Sequence, residues 1–172
     1  MPTATSGVGG AVNVTGPNVQ VGDQASNGQA KAILSFDTSV IPDSATVVSA
    51  TLRLQRVGVL GTNPFNNLGR CRIDLQSGAF GGNPALEVSD FQAFATVPAA
   101  GTLSNAVQDG AVSSGSIGAM WLATINKTGR TQMRLSFDVH DNGNGIADRI
   151  LYGSGEQTDP TVRPELQITY MP

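Results

Sequence analysis

Charge is scarce in this chain. Only 13 % of its 172 residues are charged, against roughly 25 % in an ordinary soluble domain. Ten residues are basic, of which only Lys31 and Lys127 are lysines, and the net charge is −3. A protein that binds nucleic acid by neutralising phosphates needs a basic excess gathered on one face, so that class is excluded. No apolar run approaches the roughly 18 residues that span a bilayer. The opening residues 1–7 lack both the basic and the apolar region of a signal peptide, and the expectation is a mature or excised segment. A single cysteine, Cys71, excludes an intrachain disulfide and a multi-thiolate zinc site. Its place in the alternating stretch Cys71-Arg72-Ile73-Asp74-Leu75 suits a small buried hydrophobe.

What the chain does have is 40 % hydrophobic residues with 21 glycines and nine prolines. That is enough apolar material for a core, with too many turn formers for a helical bundle. The apolar residues recur with period two. Ala50, Leu52 and Leu54 alternate with Thr51, Arg53 and Gln55. Cys71, Ile73 and Leu75 alternate with Arg72 and Asp74. Met133, Leu135 and Phe137 alternate with Gln132, Arg134 and Ser136, and Leu166, Ile168 and Tyr170 with Gln167 and Thr169. Ala32, Leu34 and Phe36 follow the same rule, and Val12–Val14, Val19–Val21 and Ile150–Tyr152 are shorter candidates. One apolar and one polar face per strand, punctuated by turn residues, predicts an all-β, antiparallel β-sandwich of one domain. The Gly, Ser and Ala-rich stretch 101–119 reads as a flexible surface loop. Residues 1–18 read as an N-terminal extension or an edge strand, and residues 84–94 as one short helical turn.

Catalytic constellations are missing. His140 is the only histidine, no nucleophile elbow surrounds a serine, and no phosphate-cradling glycine motif has its helix. The chain is therefore expected not to be an enzyme. The segment Asp138-Val139-His140-Asp141-Asn142-Gly143-Asn144-Gly145-Ile146-Ala147-Asp148 offers hard oxygen donors of the kind Ca²⁺ takes. Asp138, Asp141, Asn142, Asn144 and Asp148 are the candidate ligands of a structural calcium. An EF-hand frame fails, since His140 and Arg149 fall on ligand positions. The competing reading is a plain hairpin whose Asn-Gly steps supply positive φ.

Two ligand platforms suggest themselves. Arg53, Arg72 and Arg134, with Gln132, share the outward register of their strands, and on neighbouring strands their guanidiniums would form a row able to fork carboxylates. Trp121, after a long loop, and Tyr152, before a Gly-Ser-Gly turn, are the aromatics placed to stack a sugar ring. Against these stand an ordinary solvated sheet face and, for each aromatic, a place in the core or as a loop anchor.

One ordered set of segments resembles a known group. Ala32-Ile33-Leu34-Ser35-Phe36-Asp37-Thr38-Ser39-Val40-Ile41-Pro42-Asp43-Ser44-Ala45, followed by Val48-Ser49-Ala50-Thr51-Leu52-Arg53-Leu54, is similar to a signature stretch of DNRLRE-type domains, which include family-96 carbohydrate-binding modules. Gly61–Phe65, Ala85–Ala93, Thr128–Phe137, Gly145–Asp148, Tyr152–Glu156 and Arg163–Tyr170 extend the likeness over most of residues 19–172. The resemblance implies a jelly-roll sandwich, an extracellular or cell-surface setting, and a passive role in binding polysaccharide, acidic glycans favoured. Similar domains carry an extra strand-like segment ahead of the Gly9–Val12 region. Either that segment has been trimmed away, or residues 1–14 or a neighbouring copy supply the strand, and the last case makes a filament or surface-layer subunit joined by strand complementation the alternative function.

Overall fold

The computed structural model describes residues 11–172. Ten strands follow in chain order: β1 (Asn18–Asp23), β2 (Gln29–Ala30), β3 (Ala32–Asp37), β4 (Thr46–Leu60), β5 (Cys71–Ser77), β6 (Val97–Leu103), β7 (Val112–Ser116), β8 (Arg130–Phe137), β9 (Arg149–Gly153) and β10 (Glu165–Met171). They form two antiparallel sheets, one of six strands and one of four in the order β3-β8-β5-β6. The all-β sandwich expected from the alternation is present. In β4, Ala50, Leu52 and Leu54 are buried, and in β8 Met133, Leu135 and Phe137 are buried with them. The period-two pattern packs these inner faces into one core with Ile73, Leu75 and Ile150.

The long strand β4 organises the larger sheet. Its first part pairs with β10 on one side, from Thr46↔Met171 to Arg53↔Glu165, and with β7 on the other, from Thr51↔Ser116 to Gln55↔Val112. Further along, Arg56 pairs with Tyr152 and Leu60 with Arg149 of β9. Arg56 also donates its backbone N–H to the carbonyl of Ala111, on the β7 side. Strand β9 therefore lies on the same side of β4 as β10. The two run end to end in the same direction, and β1 flanks β9 through Asn18↔Gly153 to Gly22↔Arg149.

Two expectations need correction. The stretch 101–119 is not a flexible loop, because it holds the end of β6 and the whole of β7. Its glycines serve close approach. A Cβ on Gly101 would sit 2.5 Å from the Ser116 carbonyl oxygen, and one on Gly115 would sit 2.6 Å from that of Thr102. Small residues let β6 and β7 cross closely where the sheets meet. The candidate strand Val12–Val14 is not one, since residues 11–17 form no strand and both valines are exposed. Of the N-terminal extension, residues 1–10 lie outside the described residues.

Residues 78–96 cross the outer face of the four-stranded sheet in short 3-10 turns, Phe80–Gly82 and Val88–Phe91. Phe80 is wholly buried beneath them.

Candidate functional site

The outward arginines do not form a row. Arg53 lies on β4 of the six-stranded sheet and pairs with Glu165 of β10 at 3.4 Å, whereas Arg72 and Arg134 lie on β5 and β8 of the other sheet. Arg134 is covered by the crossing segment. Its Nη1 donates to the carbonyls of Asp90 at 2.8 Å and Ala93 at 2.7 Å. Its Nη2 pairs with Asp74 at 2.9 Å, and its guanidinium lies 4.4 Å from the centre of the Phe80 ring. Gln132 is buried as well and accepts the Phe80 N–H at 2.8 Å. Lys31 donates to the Phe91 carbonyl at 2.9 Å. Burial, together with Arg134, lowers the Lys31 ammonium to about 8. These side chains hold the crossing in place and cannot also greet a ligand.

The aromatic pair divides in the same way. Tyr152 is buried and shares a 2.8 Å hydrogen bond with the Ser113 hydroxyl, and burial pushes its phenol up. It is a core residue and not a stacking platform. Trp121 is 37 % exposed on the 3-10 turn Ala119–Thr124. Cys71 is a buried core residue whose thiol burial pushes up, as a small hydrophobe should be.

The acidic segment splits into two parts. Asp138 leaves the others and binds Arg72 and Arg70. The Arg72 N–H holds its carboxyl down to about 2, against a smaller opposing effect of burial. Asp141 caps its own turn, accepting the Gly143 N–H. The remaining residues converge on Asp148, which is fully buried. Its Oδ1 accepts the Thr62 N–H at 2.7 Å. Its Oδ2 faces the amide Nδ2 atoms of Asn67 at 2.6 Å, Asn142 at 2.8 Å and Asn144 at 3.4 Å. Burial raises the Asp148 carboxyl, but these donors together outweigh it and keep it low. Beside it is Asp23, equally buried, which accepts the Asp148 N–H at 2.7 Å while donating its own N–H to the Asp148 carbonyl at 3.0 Å. Asp23, the last residue of β1, is a member of this group that nothing in the sequence pattern singled out.

Does a cation fit here? Neither Asp23 nor Asp148 is within salt-bridge reach of a basic side chain among the described residues, and buried charges are ordinarily paired or bound to metal. The Asn67 Oδ1 is buried with no hydrogen-bond partner. Rotating that amide by half a turn, which exchanges two nearly indistinguishable atoms, brings the orphaned oxygen beside Asp148. No three of the acidic, His or Cys side chains converge among the described residues, so the rest of an oxygen shell would come from amide carbonyls. As they stand the three amides turn N–H donors toward Asp148, so a hard cation would need at least the Asn67 amide reversed, and its shell would take Asp23 and Asn67 in place of Asp138 and Asp141.

A cleft that the sequence left unread adjoins this cluster. It has a volume of about 440 Å³ and is bounded by Arg56 and Val59 of β4, by Gly61, Asn63 and Asn66 of the β4–β5 connection, and by Asn105 and Val107 of the β6–β7 loop. Asn63 donates to Asn105 at 2.9 Å across the cleft, and its Oδ1 caps the turn Pro64–Asn66 through the Phe65 N–H. The Asn66 side chain makes no hydrogen bond among the described residues, and it is exposed. Arg56 spends Nε on Asp109 and Nη1 on the Ala106 carbonyl. Val107 is 75 % exposed. The near wall is pinned by Asp148 through Thr62 and Asn67, and at Gly61 a Cβ would fall 2.0 Å from the Ala147 carbonyl oxygen. Only glycine, at its φ of 68°, lets the wall approach so closely. The one sequence signal was the amide-rich run Asn63-Pro64-Phe65-Asn66-Asn67, and nothing in its spacing paired it with Asn105.

No protein-family model matches the chain, and no curated protein matches it either.

Proposed function

We propose that this chain is a non-catalytic, extracellular binding module of jelly-roll type whose ligand is a polysaccharide, held in the amide-lined cleft between β4 and the β6–β7 loop. The observation that carries the reading is the convergence of Asn63, Asn66 and Asn105 with Arg56 around an open cleft about 440 Å³ in volume. Amides offer donors and acceptors in the same plane, which is the chemistry that sugar hydroxyls require, and the exposed Val107 supplies an apolar patch for the C–H face of a ring. Ligand sites of this kind combine a few placed polar groups with an apolar surface. The resemblance to DNRLRE-type domains supports the same class. With Arg53, Arg134 and Arg56 already engaged by Glu165, Asp74 and Asp109, hydroxyl-rich glycans suit the cleft better than acidic ones.

Ca²⁺ bound by Asp23, Asp148, Asn67, Asn142 and Asn144 would neutralise the two buried carboxylates and stiffen the cleft wall at Thr62 and Asn67. Its role is structural. The chemistry it supplies is charge balance alone.

The test is retention on immobilised neutral and acidic polysaccharides, comparing the chain with an Asn66→Ala/Asn105→Ala variant. Both positions are exposed, and the only hydrogen bond lost among the described residues is that from Asn63 to Asn105, so the variant is expected to fold. At least a tenfold loss of binding with unchanged melting supports the cleft. Equal binding by the variant, or no binding by either protein, rules it out.

A further inference from the structure

We propose that the open groove between β3 and β10 receives the N-terminal arm of a second copy of this chain, Val8–Val14, as an added β-strand. This inference is independent of the glycan reading, because the groove shares no residue with the amide cleft.

Both walls of the groove are edge strands. β3 ends the four-stranded sheet, and β10 has a partner only on its β4 side among the described residues. Phe36, Ile41, Leu166, Ile168 and Tyr170 line a space of about 280 Å³ between them. The inner residues of β10 are accordingly half-buried where those of β4 and β8 are fully buried. Tyr170 remains 42 % exposed and Val40 79 %. A bare apolar edge of this kind is a template for another strand.

The topology says where such a strand would run. β9 and β10 lie end to end on one side of β4, and β1 covers β9 only. The position beside β10 thus continues the line of β1 toward the N-terminus, and a strand there would be antiparallel to β10. The residues that precede β1 have the pattern for it. Val8, Val12 and Val14 share one face of an extended strand, with Gly9, Ala11, Asn13 and Thr15 on the other.

Among the described residues, 11–17 do not take that position. The Ser154 N–H and hydroxyl hold the Pro17 and Gly16 carbonyls. Asn13 then turns the arm by accepting the Thr15 and Gly16 N–H groups. Val12 is left 45 % exposed and Val14 59 %. An exposed apolar arm and an open apolar edge on one molecule are complementary between molecules. The contact is head-to-tail, so it repeats from copy to copy and builds a linear assembly wherever the rotation between copies does not close a ring.

Disulfide trapping between copies tests this on the full chain. Val12→Cys and Tyr170→Cys are made separately, at exposed positions that leave the core and the buried Cys71 untouched, and the two proteins are mixed under mild oxidation. A mixed disulfide between them is expected, at least tenfold faster than in a mixture of Val12→Cys with Phe94→Cys, an exposed site that does not line the groove. A trap no faster than this control overturns the proposal. So does a Val12→Cys/Tyr170→Cys double variant that closes only within one chain. Light scattering of the unmodified chain gives the second readout: growth in mass with concentration supports the arm exchange, and a constant 17.7 kDa species overturns it.

Discussion

Arg134 and Asp74 stand 2.9 Å apart on neighbouring strands, with side chains only 8 % and 14 % exposed. They are the strut between the four-stranded sheet and the segment that crosses it. Arg134 reaches up to the Asp90 and Ala93 carbonyls while Asp74 receives both its guanidinium and the Ala99 N–H. Removing one partner of a buried pair leaves the other charged and unpaired. Arg134→Ala is expected to cost about 3 kcal/mol of unfolding free energy, measured by urea denaturation. A loss under about 1 kcal/mol, the value of a surface pair, would return Arg134 to the solvated face.

That pair also marks what a linear pattern can and cannot convey. Alternation told correctly that Met133 and Leu135 point inward and Arg134 outward. It could not tell that outward is still inside, because the cover comes from residues 78–96, far away in the chain and written in irregular turns. Nor does period two say which sheet a strand joins, so Arg53 fell into a row with residues of the opposite sheet. Glycine richness at 101–119 was equally ambiguous: the residue that loosens a loop also permits two strands to touch at Gly101 and Gly115. The Asp148 cluster was partly legible because three of its members, Asn142, Asn144 and Asp148, lie within one turn. Asp23 and Asn67 join it only through tertiary contact.

Asp138 sets a prediction in pH. Its folded carboxyl sits at about 2 against an ordinary 3.8, held down chiefly by the Arg72 N–H. A depressed acid stabilises the fold above its unfolded value, and that contribution fades as pH falls from about 4 toward 2. Melting curves of the chain and of Asp138→Asn should therefore converge across this window and stay separated above it. Curves that remain parallel from pH 6 to pH 2 would remove Asp138 from the acid response.

The buried carboxylates Asp23 and Asp148 predict a response to calcium. At a Ca²⁺ concentration about a hundredfold above its Kd, the gain is about 2.7 kcal/mol, or roughly 5–10 °C in melting temperature for a chain of this size. Chelator should reverse it, and Asp148→Asn should abolish it. Identical melting in calcium and in chelator would leave the cluster as a self-sufficient turn held by amides.

Tyr152 and Ser113 predict a purely structural effect. Tyr152→Phe removes one hydrogen bond in the core and strands the buried Ser113 hydroxyl, costing about 1–2 kcal/mol with glycan binding unchanged. A variant of normal stability that fails to bind glycan would restore Tyr152 as a ligand residue.

The central claim is that Asn63, Asn66 and Asn105 form a sugar-binding cleft, and titration calorimetry of the chain against the best-retained oligosaccharide addresses it most directly. The account predicts saturable binding that falls at least tenfold in Asn66→Ala/Asn105→Ala and is preserved in Arg53→Ala. Binding that survives the double amide variant and disappears with Arg53→Ala would contradict it and move the ligand to the β4–β10 face.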